Sequence, residues 1–146
     1  MRRGSRAPLL AAVALAAAAG CSSPGAPAGP LLCEPPLAPP PGFERVERVE
    51  SPQADHVAVR TSYRSEDGRE LHLLAGIPGE VGEGLPLVGT LRLAEGVDAR
   101  LLGADERWAL VWGAEGVCDP YAVIGQGFDR RSFVGLLRET GFLEPG

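Results

Sequence analysis

The sequence predicts an α+β domain: an antiparallel sheet of about six strands with a C-terminal helix packed on one face. Three observations carry that prediction. Residues 56–75 alternate apolar and polar side chains around a turn signal, four shorter β-like runs follow between further turn signals, and the chain closes on an apolar stripe of helical period with a cap at each end.

The hairpin comes first. HVAVRTSYR places Val57, Val59, Thr61 and Tyr63 on one face and His56, Ala58, Arg60, Ser62 and Arg64 on the other; after SEDG, RELHLLAG puts Leu71, Leu73 and Ala75 on a single face. A two-residue turn at Asp67-Gly68 would pair Tyr63 with His72 and set the valine face against the polar one. A three-residue loop, Glu66-Asp67-Gly68, instead pairs Tyr63 with Leu71, Thr61 with Leu73 and Val59 with Ala75. It also sets Arg64 opposite Glu70 and uses Gly68 for the left-handed residue such loops require. The three-residue loop is therefore expected.

Ile77 to Pro86, IPGEVGEGLP, reads as a flexible acidic loop, and beyond it LVGTLRL, VDARLL, RWALVWG and YAVIG read as four strands separated by AEG, GADE and EGVCDP. Trp108, Leu110 and Trp112 share a face of RWALVW. Such a stripe lines a groove for an apolar ligand or belongs to the core, and strand spacing favours the core. The closing helix has Asp129 as N-cap, Phe128 placed to staple onto Phe133, Gly141 as the C-terminal glycine and Phe142 placed to pack on Leu137. Phe133, Leu136, Leu137 and Thr140 form its inward stripe.

Upstream of the domain the chain changes character. MRRGSR is a short basic start, and Ala7 to Ala19 is a 13-residue apolar core followed by small residues, the layout of a secretory signal peptide over residues 1–20. That core is shorter than the roughly 20 apolar residues a spanning helix needs. Ala17-Ala18-Ala19 supplies an ordinary small-x-small cleavage site, whereas Ala18-Ala19-Gly20-Cys21 resembles the lipobox of bacterial lipoproteins, in which the cysteine is lipidated and becomes the first residue. Ser22, Ser23 and a Pro/Gly/Ala spacer follow, as in that class. Residues 21–42 are then a lipidated cysteine and a proline-rich tether of polyproline II character, and the folded domain is expected over residues 43–146. Lipid on Cys21 leaves an even pair outside the cytoplasm, Cys33 and Cys118, which is expected to close as a disulfide.

Composition narrows the function. All 14 basic residues are arginine, and removal of residues 1–20 leaves 11 of them against 19 acidic residues, a formal charge of −8. A balance of that sign disfavours nucleic acid, whose backbone needs clustered cations. His56 and His72 share the polar face of the hairpin, but Pro78 faces His56. The two rings are therefore on the order of 20 Å apart, too far to share a metal. Gly125-Gln126-Gly127 approaches a dinucleotide-binding loop, yet Arg130 holds the last glycine's place and no βαβ unit surrounds it. No phosphate-binding loop or nucleophile elbow occurs, and Asp105-Glu106 reads as a solvated turn. No catalytic residue, metal ligand or cofactor is assigned.

The order YRSEDGRELHL, a glycine-broken middle, WALVW, YAVIG and a closing helix resembles, over residues 57–140, small extracytoplasmic domains of bacterial envelope regulators and lipoprotein-carrier-like proteins. That resemblance implies a curved antiparallel sheet that carries a hydrophobic ligand or senses the envelope; no functional residue carries over. The expectation is a membrane-anchored bacterial envelope lipoprotein, facing the extracytoplasmic side, with a non-catalytic binding or interaction role. Its expected partners are the bilayer, through acyl chains on Cys21, and an envelope protein. That protein would be met by the hairpin (Arg60, Arg64, Glu70, His72) or by the acidic loop from Glu80 to Gly84. The alternative is a small carrier or sensor of an apolar ligand, with Trp108, Leu110 and Trp112 lining its cavity.

Overall fold

Two runs of antiparallel hairpins, joined along one seam, make the sheet. In the computed structural model residues 29–146 are described, apart from residues 36, 78–80 and 114; the expected leader and Cys21 lie outside them. The strands are β1 (Leu31–Leu32), β2 (Phe43–Pro52), β3 (His56–Ser65), β4 (Glu70–Ala75), β5 (Leu87–Arg92), β6 (Asp98–Ala104), β7 (Arg107–Trp112) and β8 (Tyr121–Gln126), followed by α1 (Arg130–Glu139). β2, β3 and β4 pair in chain order, the chain then crosses to the far edge, and β5 to β8 return so that β8 lies antiparallel to β4.

The α+β class agrees with expectation, but the sheet has eight strands rather than six and is mixed, because β1 runs parallel to β3. Val57 is paired with Pro52 of β2 on one side and with Leu32 of β1 on the other, so β1 takes up the edge of β3 that β4 leaves free. β2 escapes sequence reading because its apolar residues, Phe43, Val46 and Val49, fall every third position. A bulge between Arg45 and Glu47 causes that period: Val46 is the extra residue and shifts the phase of the strand.

The predicted hairpin register is the observed one, Tyr63↔Leu71, Thr61↔Leu73, Val59↔Ala75 and Arg64↔Glu70. Ser65 N–H donates to Arg69 O across the Glu66-Asp67-Gly68 loop, and Gly68 has φ +87°.

One face of the sheet carries the main core. Tyr63, Leu71, Leu73, Val123, Leu101 and the Trp108–Leu110–Trp112 stripe point to it, and Phe133, Val134 and Leu137 of α1 cover them. Asp129 caps α1 by accepting from Ser132 N at 2.7 Å, and the Phe128 and Phe133 rings meet edge to face at 5.9 Å. At the other end Phe142 N donates to Leu137 O and Gly141 N to Arg138 O, with Gly141 at φ +78°, the Schellman arrangement. Val134 is buried where Thr140 was expected, while Leu136 is partly buried against the same core.

The segment read as the second half of a tether belongs to this body. Cys33, Leu37 and Pro40 are buried, Leu37 and Phe43 join the main core, and Arg48 forms ion pairs with Glu34 at 2.6 Å and Glu50 at 3.2 Å. The packed body thus starts near Leu31, upstream of the expected boundary at residue 43. Cys33 anchors it, with its N–H donating to Val57 O and its sulfur bonded to Cys118, Cα–Cα 5.3 Å.

Glycines let the aromatic side chains down onto the sheet. A Cβ on Gly125 would stand 2.6 Å from the Phe133 ring, whereas one on Gly135, in the middle of α1, would meet nothing within 4 Å. The two alanine substitutions should therefore differ in sign. In urea denaturation Gly125→Ala is expected to cost about 1–3 kcal/mol by overpacking. Gly135→Ala is expected to stabilise by up to about 1 kcal/mol through helix propensity.

Candidate functional site

Among the described residues no helix lies over the opposite face of the sheet, which divides into a polar and an apolar half. The polar half is the hairpin surface. Arg60 pairs with Glu47 at 3.2 Å and Arg64 with Glu70 at 2.8 Å. Ser62 Oγ lies 2.8 Å from His72 Nδ1, and His72 Nε2 lies 3.4 Å from Glu70 Oε2. The four residues expected to act together do share one surface, because the hairpin register places Arg60, Ser62 and Arg64 on the same face as Leu74, His72 and Glu70. The Arg64 guanidinium holds the Glu70 carboxyl below the ordinary carboxylate value. Such exposed pairs add little stability; they fix side-chain positions.

Ser62, His72 and Glu70 form a file that sequence reading missed, and its order resembles that of a serine hydrolase relay. Its surroundings differ from one. Ser62 is 4 % exposed, and none of the described cavities is lined by it or by His72. A carboxylate accepts only, so a proton on Nε2 faces Glu70, and in the neutral ring Nδ1 then accepts from the Ser62 hydroxyl. A catalytic relay also puts the ring proton on the carboxylate side, so what sets this file apart is the burial of the Ser62 hydroxyl away from the described cavities.

The apolar half lies over β6, β7 and β8. Ala109, Val111 and Ala122 are buried there, with Leu74, Leu102 and Ile124 half-exposed around them. Part of the acidic loop folds onto this patch: Val81 and Leu85 pack against it, and Leu85 N donates to Gly82 O at 2.9 Å. Of the expected acidic surface Glu83 is exposed and Glu80 lies outside the described residues. A small hollow of about 210 Å³ remains between this turn and the sheet, bordered by Glu83, Arg100, Leu102 and Pro120.

Trp108, Leu110 and Trp112 are not here. They lie in the main core beneath α1, where Trp112 stacks on Tyr121 at 5.7 Å and meets Phe142 at 5.1 Å. Trp108 donates from Nε1 to Asp105 O at 3.2 Å, and its ring lies so close over Gly103 that a Cβ there would overlap it. None of the described cavities is lined by the stripe.

A second polar feature stands at the disulfide end of β3. His56 Nε2 is 2.7 Å from Gly76 O and Nδ1 is 2.7 Å from Asp55 Oδ1. Both neighbours are acceptors, so both ring nitrogens must donate and the imidazolium is the favoured form. The Gly76 carbonyl first, and then the Asp55 carboxylate, raise the His56 pKa above its ordinary value. Asp55 is lowered by the same contact. Gly76 has φ +74°, and a Cβ there would stand 2.8 Å from the His56 ring and 3.1 Å from the Cys33 sulfur. His72 is engaged separately with Ser62, and among the described residues no group of three or more His, Cys, Asp or Glu side chains is placed to hold a metal ion.

Among the described residues no helix is long and apolar enough to cross a membrane. No protein-family model, curated protein or solved structure matches the chain.

The His56 clasp sets a pH dependence. Its folded pKa lies above its unfolded value near 6.5, so its contribution is complete below that pH and is lost as pH rises through the folded value. The His56 Cε1 proton is expected to titrate at higher pH in the folded chain than in urea. His56→Gln should remove part of the fall in thermal midpoint between about pH 6 and 8. A folded midpoint at or below the unfolded one would count against the clasp.

Proposed function

We propose that this chain is a membrane-anchored bacterial envelope lipoprotein whose folded body serves as a non-catalytic interaction module. The observation that carries the interaction role is the asymmetry of the sheet. One face is buried under α1, Leu37 and Phe43, while the other presents ordered ion pairs beside half-exposed Leu74, Leu102 and Ile124. Ordered charges beside a half-exposed apolar patch suit recognition of a protein surface. The leader, Cys21 and the residues that follow it support the anchor and the extracytoplasmic side. The carrier reading needs Trp108 and Trp112 at a cavity, and both are buried in the core.

The anchor is tested by fractionation. The wild-type chain is expected to sediment with membranes and to take up acyl label, and the exported Cys21→Ala chain to be soluble and unlabelled. A Cys21→Ala chain still bound to membranes after export overturns the anchor.

The surface is tested in cells with a photocrosslinker. Placed at His72 or Leu74 it is expected to give a discrete adduct with another envelope protein, and at Arg131, on the exposed side of α1, to give none. Adducts from Arg131 alone overturn the assignment of the face. In vitro, tryptophan emission is expected to stay unchanged on titration with fatty acid or phospholipid vesicles, whereas a saturable shift would favour the carrier.

A further inference from the structure

The two long edges of the sheet are protected very differently. β2 carries Glu44, Arg45, Glu47, Arg48 and Glu50, a bulge at Val46 and a terminal Pro52, all devices that discourage edge-to-edge pairing. β5 has no charge from Leu87 to Leu91, with Leu87 63 % and Val88 36 % exposed.

Among the described residues the unpaired stretch of that edge is bounded on both sides. At one end Leu143 bridges Leu93, with Ala94 N donating to Phe142 O and Glu144 N to Arg92 O, so the C-terminal residues occupy the edge as far as Arg92. At the other end Pro86 has no N–H to offer, and Leu85 turns away onto the open face. Between them the backbone points outward. Leu93 N donates to Val97 O, toward β6, while Arg92 O faces away from it; antiparallel alternation therefore aims the N–H and C=O of Thr90 outward as well. Val88 has no partner on β6, because the register shifts between Leu87 and Gly89.

We infer that β5 is a self-association edge, and that its occupant is β5 of a second copy of this chain. The uncharged run reads Leu87-Val88-Gly89-Thr90-Leu91, nearly the same in either direction. An isologous interface must be self-complementary, and antiparallel pairing about Gly89 meets that condition. It sets Leu87 against Leu91, and the two β-branched residues Val88 and Thr90 against each other on both sides of the axis. No like charges meet, since the pairing brings Arg92 opposite Pro86, and Arg92 is already engaged by Asp98 at 3.3 Å and Glu144 at 3.7 Å. The pairing ends where the bridge at Leu93 and Pro86 stop it. The two sheets become continuous, with both helices on one side and both open faces on the other.

A pairing of this length is at the small end of interface size, so the association is weak and concentration-dependent. It is read by light scattering on the full chain in mild detergent, over a roughly hundredfold concentration range. The polypeptide mass is expected to rise from one copy to two. Thr90→Pro removes only an outward donor and Thr90→Lys puts cations beside the axis; both are expected to stay single, with circular dichroism and urea midpoint close to wild type. As an independent measurement, Gly89→Cys is expected to give a 89–89 disulfide between copies on oxidation, mapped by mass spectrometry, whereas Leu74→Cys on the open face gives none. A wild-type chain that stays single across the range overturns the inference, as does a dimer that persists in both Thr90 variants or one linked through Val46→Cys on β2.

Discussion

Leu73 of β4 lies opposite Val123 of β8, and the six-residue antiparallel ladder around them is the seam on which the rest of the molecule depends. On one side of it are four strands, with the mostly charged β2 and the two-residue β1 outermost; on the other are four strands whose outer member is β5. Neither group alone covers its apolar face. The seam brings Leu71 and Leu73 alongside Val123, Leu110 and Leu101, in one cluster with Phe133 and Leu137 of α1. The pairing is distant in sequence, and closing such a loop costs chain entropy before any contact repays it. The Cys33–Cys118 bond joins β1 to the lead-in of β8 across the end of β4, right beside the seam.

The two faces follow from how the strands are patterned. Toward α1 the side chains are large and close-packed, and Gly103 and Gly125, both paired with Trp108, leave room for aromatic rings to lie against the backbone. On the other face small residues, Ala109, Ala122 and Val111, give a flatter surface whose polar neighbours hold one another in fixed positions. The interaction role proposed above rests on this half-apolar surface and the paired charges beside it.

Much of the body was legible in the sequence, and the failures share a physical origin. The hairpin could be read to the residue because a shift of one position would have turned Tyr63, Thr61 and Val59 away from the core. The helix ends were legible because Asp129, Phe128, Gly141 and Phe142 act on neighbours a few positions away. β2 was missed because an edge strand buries little, and because its bulge breaks the period of two. β1 was missed because two residues carry no period at all, and its place is set by Cys33 and Val57. The hairpin surface was readable from register, but the Ser62–His72–Glu70 file needed side-chain directions that alternation alone does not give. The proline-rich segment read as spacer because composition reports stiffness and says nothing of where Leu37 and Pro40 come to rest.

The disulfide also has a mechanical meaning. A pull between the chain upstream of Cys33 and its C-terminal end travels through the sulfur bridge to Cys118 and on through β8 and α1. The stretch between the two cysteines, which holds β2 to β7, lies off that line of force. Tension would therefore be borne by a covalent bond and by the ladder around β8, and the surface displayed by the hairpin would keep its shape while the molecule is stretched.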